Sequence, residues 1–125
     1  MRYMVFVNMA DDIGAPPPAL VEAMGSEMTK MFAAGSMLDA GGLYTNSECT
    51  EVRLADGAVS VTDGPYAEAK EVVGGYAIIE ARSHEEAVEG AHRLIQIHRD
   101  HWPSWEGSVH VRRIAGPDDG PPPRD

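Results

Sequence analysis

The densest group of potentially reactive side chains lies at positions 98–105, which read His-Arg-Asp-His-Trp-Pro-Ser-Trp. Residues three apart on a helix lie on neighbouring parts of one face, so His98 and His101 could act together there. Imidazole can give or take a proton near neutral pH, which makes both histidines candidate catalytic residues. With Trp102 as an aromatic wall, the segment predicts contact with an organic ligand.

Two further interpretations of this segment stay open. In the structural one, His98 completes the apolar stripe of a helix and bonds the backbone through one ring nitrogen, while the tryptophans anchor the helix end. In the metal-binding one, both histidines are ligands, but a catalytic zinc usually takes three protein ligands. The spacing supplies no third ligand, since His110 or Asp63 would have to be brought there by the fold. We therefore predict no metal.

A second candidate site lies at positions 63–66, which read Asp-Gly-Pro-Tyr. The simplest interpretation is a turn, because aspartate bonds nearby amides, glycine adopts an unusual φ and proline fixes the next bend. The turn also stands where two long strands are expected to meet. Asp63 and the hydroxyl of Tyr66 could therefore point into one cavity, with Lys70 near its rim. Asp63 is a candidate catalytic residue, and Tyr66 and Lys70 are candidate ligand-binding residues.

The composition describes an acidic chain of the size of one domain. The 125 residues are 43% hydrophobic and carry a net charge of -10, and a field of this sign repels nucleic-acid phosphates and anionic lipids. No run approaches the roughly 20 apolar residues needed to cross a bilayer, and no signal-peptide pattern opens the chain. The single Cys49 cannot form an internal disulfide. We expect a cytoplasmic protein without nucleic-acid or membrane partners.

The glycines of this chain do not form a nucleotide-binding motif. Gly-Gly pairs occur at 41–42 and 74–75, but neither belongs to a Gly-x-Gly-x-x-Gly run before a helix, and no phosphate-binding Gly-Lys-Ser or Gly-Lys-Thr motif exists. We therefore predict no cofactor.

The amino-terminal residues predict a strand followed by a helix. The continuous apolar run at 3–7 fits a central strand, and the prolines at 16–18 are typical of a helix start. The helix should end at Gly35. Its methionines are interpreted as core residues rather than as an adaptable ligand wall. The apolar stripe consists of Leu20, Val21, Met24, Met28, Met31 and Phe32.

A second strand and a hairpin follow this helix. The strand at 37–40 leads into Gly41-Gly42, which indicate a bend or a close backbone approach. Asp-Gly at 56–57 lies between alternating runs at 51–54 and 59–61. Because glycine accepts a positive φ, this dipeptide predicts a hairpin of those two strands.

The carboxyl-terminal half predicts a strand, a helix and a last strand. The run at 72–81 reads as a long central strand whose two glycines permit a bulge or a close neighbour. Ser83 and Glu86 match a capping box, so a second helix starts there and continues until Pro103 stops it. A last strand contains Val109, Val111 and Ile114.

The element order is β-α-β, a hairpin insertion, then β-α-β, which is the split βαβ pattern of ferredoxin-like α+β domains. Both helices should cover one face of the sheet. The strands are too apolar to leave the other face in water, so we predict a homodimer with paired sheets. The domain is expected to span residues 1–114, followed by a mobile Pro- and Asp-rich tail at 115–125.

The segment Val-Thr-Asp-Gly-Pro-Tyr-Ala-Glu-Ala-Lys-Glu at 61–71, followed by Val-Gly-Gly-Tyr at 73–76, closely resembles the signature of YCII-related proteins of the DGPF type. Tyr66 stands in place of the phenylalanine that names the signature. The first strand, the glycines at 41–42 and the last strand are similar as well, so the resemblance spans about residues 1–114. It implies a ferredoxin-like dimer related to dimeric α+β barrels, usually a small bacterial protein without an established reaction.

More distant YciI-like relatives include a dehydrochlorinase and proteins in which a histidine and an aspartate are proposed for acid-base work. Those relatives carry the histidine on the first helix, whereas this sequence has no histidine before His84. Only Asp39, near the matching second strand, corresponds to that pair. The resemblance therefore adds Asp39 as a candidate ligand-binding residue and transfers no catalytic dyad.

The functional prediction is binding of a small organic molecule in a pocket between the helices and the sheet. The alternative is an enzyme of the lyase or isomerase type, in which His98 or His101 is the general acid or base and Asp63 and Tyr66 orient the substrate. A partner-binding role of the acidic surface and the Pro-rich tail is a weaker third hypothesis.

Overall fold

The computed structural model describes residues 1–64 and 71–124. In chain order the elements are β1 (Arg2–Met9), α1 (Pro18–Ala33), β2 (Met37–Gly42), β3 (Thr50–Ala55), β4 (Ala58–Asp63), β5 (Val72–Glu80), α2 (His84–His101) and β6 (Gly107–Arg113). Four strands form one antiparallel sheet in the order β2-β5-β1-β6. This order confirms the predicted ferredoxin-like split βαβ arrangement of the α+β class.

Helix α1 begins and ends close to the residues that the sequence predicts. Pro18 occupies the first helical position, where a missing N–H loses no intrahelical bond. At the other end Gly35 has a φ of +76°, a conformation that glycine adopts without steric strain. The N–H of Gly35 donates to the carbonyl of Phe32 at 3.1 Å, and that of Ser36 donates to Met31 at 3.0 Å. These two bonds make a Schellman motif, which ends the helix.

Helix α2 is capped at its start by Ser83, as predicted. The Ser83 hydroxyl oxygen accepts a hydrogen bond from the N–H of Glu86 at 3.1 Å, which satisfies one of the free amides of the first turn. In a complete capping box, the Glu86 carboxylate would accept from the backbone N–H of Ser83. Here it accepts instead from Nε of Arg82 at 3.0 Å. The helix ends at His101, and Pro103 prevents its continuation.

Alternate residues of β1 place the core on one face of the sheet. Tyr3, Val5 and Val7 are buried, whereas Met4 and Phe6 between them are half-buried on the opposite face. Strand β1 pairs with β5 on one side and β6 on the other, so it is central as predicted. Both helices pack on the buried face, where the core cluster consists of Tyr3, Val5, Met37, Ile79, Ala81 and Ala87.

Glycines allow two irregular features of the sheet. A Cβ added at Gly41 would lie 2.9 Å from Cε1 of Tyr76, so the tyrosine ring occupies the space that a side chain would need. Strands β1 and β5 shift register between Val7 and Asn8, so that Gly74 has no partner residue on β1. The predicted bulge is therefore present, and the close neighbour at Gly41 is a side chain rather than the predicted backbone.

Strands β3 and β4 form a sheet of their own outside the main sheet. Asp56 and Gly57 have φ angles of 53° and 77°, as the mirror-image turn of a tight hairpin requires, which confirms the predicted turn. The strand residues are exposed throughout. The large apolar side chains of this hairpin, each 65 to 72% exposed, are Val52, Leu54, Val59 and Val61.

Residues 114–124 form neither helix nor strand. Ile114, which was predicted in the last strand, lies directly after it and donates its N–H to the carbonyl of Arg2 at 2.9 Å. A separate tail at 115–125 stays a prediction. Within 1–64 and 71–124, no helix is long and apolar enough to cross a membrane.

Candidate functional site

A cavity of about 770 Å³ lies between α1, the sheet and the end of α2. We name it the His98 cavity after the histidine that lines it. Its volume falls within the range of about 300–1,000 Å³ that ligand pockets occupy. Apolar side chains dominate its wall, including Met9, Ile13, Leu20, Val21, Met24, Met28, Leu43, Val72 and Val73.

His98 supplies a polar atom to this apolar wall. Its side chain is 4% exposed, and its ring lies against that of Trp105 with the centroids 4.5 Å apart. The ring atom Nδ1 lies 2.9 Å from the carbonyl oxygen of Leu94. Because a carbonyl can only accept, Nδ1 carries the proton, and in the neutral ring Nε2 is then an acceptor.

Nε2 of His98 has no hydrogen-bond partner among the described residues. In the described part of the chain, the fully buried side-chain nitrogen that lacks a partner is Nε1 of Trp105. Nε2 of His98 lacks a partner too, so it is not fully enclosed. His98 therefore lines an apolar cavity and carries an acceptor nitrogen of a fixed tautomer that has no partner among the described residues. Chemically, this atom can accept a hydrogen bond or a proton from a bound molecule.

Trp102 lines the His98 cavity at the end of α2. It is buried, and its backbone N–H donates to the backbone carbonyl of His98 at 2.7 Å. The rim carries Tyr44, which is 86% exposed. Asp11 also lies there, and its carboxylate accepts from the N–H of Asn46 at 3.0 and 3.2 Å. The predicted aromatic wall is thus in position to contact a ligand beside His98.

A second, smaller cavity of about 210 Å³ lies between the two helices and the sheet. Met24 and Met28 line both cavities, and an ion pair with 2.9 Å between Glu27 Oε1 and Arg93 Nη1 lines the smaller one. Met28 also packs against the core cluster. The interpretation of the methionines as core residues is therefore confirmed for Met28 but not for Met24, and both also form cavity wall, where the unbranched side chain adapts to different shapes.

The structure separates the other predicted catalytic residues from the His98 cavity. His101, the last residue of α2, is exposed and lines neither of the two cavities. Asp63 is exposed at the end of β4, and its carboxylate accepts from the hydroxyl of Thr50 at 2.9 Å. His98 and Trp102 are thus the predicted site residues that the fold brings together.

The predicted ligand-binding residues outside α2 lie elsewhere or outside the described ranges. Asp39 pairs in register with Ile78, which pairs with Met4 on the face of the sheet away from the core. Its carboxylate accepts from the hydroxyl of Tyr76 at 3.4 Å. Tyr66 and Lys70 lie outside the described residues. Their roles, and that of Asp39, stay predictions.

Sequence reasoning missed the loops that complete the cavity. Residues 10, 11 and 13–16, between β1 and α1, form one side of it, and residues 43–45, after β2, form another. A usable signal was present, since Ile13 and Leu43 are apolar residues in segments that otherwise read as turns. In the described ranges, no cluster of three His, Cys, Asp or Glu side chains could hold a metal ion.

The split βαβ sheet, with both helices on one face and a histidine-lined apolar cavity between them, defines a small α+β protein with a ligand-sized site. The family model of the YCII-related domain matches residues 1–104, and the chain belongs to this family. The match ends before β6, which pairs with β1 along its whole length. No curated protein matches the chain.

Proposed function

We propose that this protein binds a small organic molecule in the His98 cavity. The observation that supports the proposal is a buried histidine that lines an apolar cavity of ligand size and whose Nε2 has no partner among the described residues. Small-molecule sites combine a mostly apolar wall with a few placed polar groups. Trp102 adds a large rigid contact surface beside the imidazole.

The test is to fill the cavity from α1. Met24 lines both cavities, so Met24→Trp places an indole where a ligand would lie. Ser26→Trp is the matched control, because Ser26 is exposed on the same helix and lines neither cavity. Titration with the apolar fluorophore N-phenyl-1-naphthylamine should give saturable binding to the wild type and to Ser26→Trp, but not to Met24→Trp.

Native mass spectrometry of the untagged protein from its own source complements this titration. A retained small molecule in the wild type that is absent from Met24→Trp would identify the natural ligand. Equal binding of the fluorophore by Met24→Trp and the wild type would contradict the proposal, because the probe would then lie outside the cavity.

The homodimer is part of the same proposal. The sheet face away from the helices carries the half-buried side chains of Met4, Phe6 and Ile78 in neighbouring register positions. A contiguous apolar surface of this kind is stabilised by contact with a second copy, and two-fold pairing is the commonest solution. Light scattering should give the mass of a dimer for the wild type and of a monomer for Ile78→Lys. Val61→Lys, on the exposed hairpin, should stay dimeric; a monomeric wild type would contradict the pairing.

A second candidate function is proton transfer by His98, as in the predicted lyase or isomerase. The observation that favours it is the bond from Nδ1 to Leu94, which orients the ring and leaves Nε2 as the basic atom. In this reaction His98 acts without His101 and Asp63, which lie outside the cavity. The test is deuterium uptake from heavy water into the retained molecule, which the wild type should catalyse and His98→Gln should not.

We also propose a cytoplasmic location. The single Cys49 is exposed and free, and a protein without disulfides needs no oxidising compartment. Fractionation of source cells should recover the untagged protein with cytoplasmic markers rather than with membranes.

A further inference from the structure

We infer that the ligand of the His98 cavity is a neutral, largely apolar molecule that donates a hydrogen bond to Nε2 of His98. This inference rests on the function proposed above and names the chemical class of its ligand.

The hydrogen-bond polarity follows from the tautomer. The Leu94 carbonyl accepts from Nδ1 at 2.9 Å, so the neutral ring has its lone pair on Nε2. A ligand group that only accepts hydrogen bonds would meet this lone pair without forming a bond. A hydroxyl or N–H group would form one.

Burial makes this bond selective. His98 is 4% exposed, so a ligand that fills the cavity excludes water from Nε2. A buried acceptor that loses water and gains no donor weakens binding. The site therefore favours a ligand with a donor over an equally large ligand without one.

The charges near the cavity disfavour an anion. Asp11 is the one charged side chain among the described residues that line it, and the whole chain carries a net charge of -10. A carboxylate or phosphate would be repelled by this field and would find an acceptor, not a cation, at His98. The apolar wall argues against a polar cation as well, since its charge would lose hydration there.

The experiment compares three ligands of nearly equal shape on the full chain. They are 2-naphthol, which donates a hydrogen bond, 2-methylnaphthalene, which does not, and 2-naphthoate, which is an anion. Each is measured by displacement of N-phenyl-1-naphthylamine. We expect 2-naphthol to bind about tenfold more tightly than 2-methylnaphthalene, and 2-naphthoate to bind more weakly than either.

The matched variant is His98→Phe, which keeps a ring against Trp105 but has no ring nitrogen. It should bind 2-methylnaphthalene about as well as the wild type and should lose the preference for 2-naphthol. If this variant does not fold, the ¹⁵N shift of His98 Nε2 in the wild type replaces it. The two ligands should move that signal in opposite directions, because 2-naphthol donates a hydrogen bond to the lone pair and 2-methylnaphthalene only removes water from it, while the exposed His101 serves as internal reference.

The outcomes distinguish failure of the inferred ligand class from failure of the proposed binding function. Equal affinity for 2-naphthol and 2-methylnaphthalene, or a preference that survives in His98→Phe, overturns the inferred ligand class and leaves the cavity as a binding site. Tighter binding of 2-naphthoate also overturns the class, in favour of an anionic ligand. If no naphthalene and no fluorophore binds, the proposed function itself fails.

Discussion

Gly25 lies in the middle of α1, where glycine is the least favourable residue apart from proline. Its backbone is helical, and a Cβ built on it meets no heavy atom within 4 Å. Neither a positive φ nor a close neighbour therefore requires glycine at this position. Gly25→Ala should consequently stabilise the protein, because alanine restricts the unfolded chain and fits the folded one.

The magnitude follows from helix propensity. A glycine inside a helix is about 0.5–1 kcal/mol less favourable than alanine. For a chain of 125 residues, the entropy of unfolding is about 0.26 kcal/mol/K near the melting temperature. The expected rise in Tm is therefore about 2–4 °C.

The assay is urea unfolding followed by circular dichroism, with a thermal scan beside it. Gly35→Ala is the control with the opposite sign, because Gly35 has a φ of +76° and no neighbour within 4 Å. An alanine there adopts a strained conformation, so Gly35→Ala should lower the free energy of unfolding by about 1 kcal/mol. The two substitutions add the same methyl group and differ in backbone conformation.

A destabilised Gly25→Ala would refute this reasoning. Because Gly25 lines the His98 cavity, it would mean that the surface of α1 at Gly25 is covered in solution by a bound molecule or by another chain. A stabilised Gly35→Ala would refute the assignment of the helix end instead.

Three other substitutions test the cap, the core and the site, and a fourth, Val61→Ala, is the control for the core. Ser83→Ala should lower the free energy of unfolding by about 1 kcal/mol, because the N–H of Glu86 loses its acceptor; urea titration measures this, and an unchanged midpoint would contradict the cap. Ile79→Ala should cost about 2–5 kcal/mol because Ile79 is buried in the core. By contrast, Val61→Ala on the exposed hairpin should stay within about 0.5 kcal/mol. His101→Gln should leave the affinity for N-phenyl-1-naphthylamine unchanged, and a clear loss in fluorescence titration would place His101 in the site.

Elements with short-range signals could be predicted from the sequence. Pro18 and Gly35 mark the ends of α1, Ser83 marks the start of α2, and Asp56-Gly57 mark the hairpin. Each signal acts through backbone geometry within a few residues, so it needs no knowledge of the tertiary fold. The order of these elements was then enough to predict the split βαβ sheet.

The spatial relations between elements could not be predicted in the same way. Three-residue spacing places His98 and His101 on neighbouring parts of a helix face, yet one is buried and the other exposed. The difference arises because α2 ends at His101 and Trp102 takes the inward position at the cavity. Likewise, the hairpin turn does not reveal that β3 and β4 leave the main sheet.

The identity of residue 98 is hard to explain by stability alone. The inward stripe of α2 contains Ala87, Ala91 and Leu94, and a leucine at position 98 would continue it without a polar atom to satisfy. The Leu94 carbonyl satisfies Nδ1 of His98, whereas Nε2 has no partner among the described residues and is not fully enclosed, so a water or a ligand must supply its donor. The unsatisfied nitrogen belongs to a residue that lines a cavity of ligand size. The proposed ligand would give this histidine a role that the packing of the helix alone does not require.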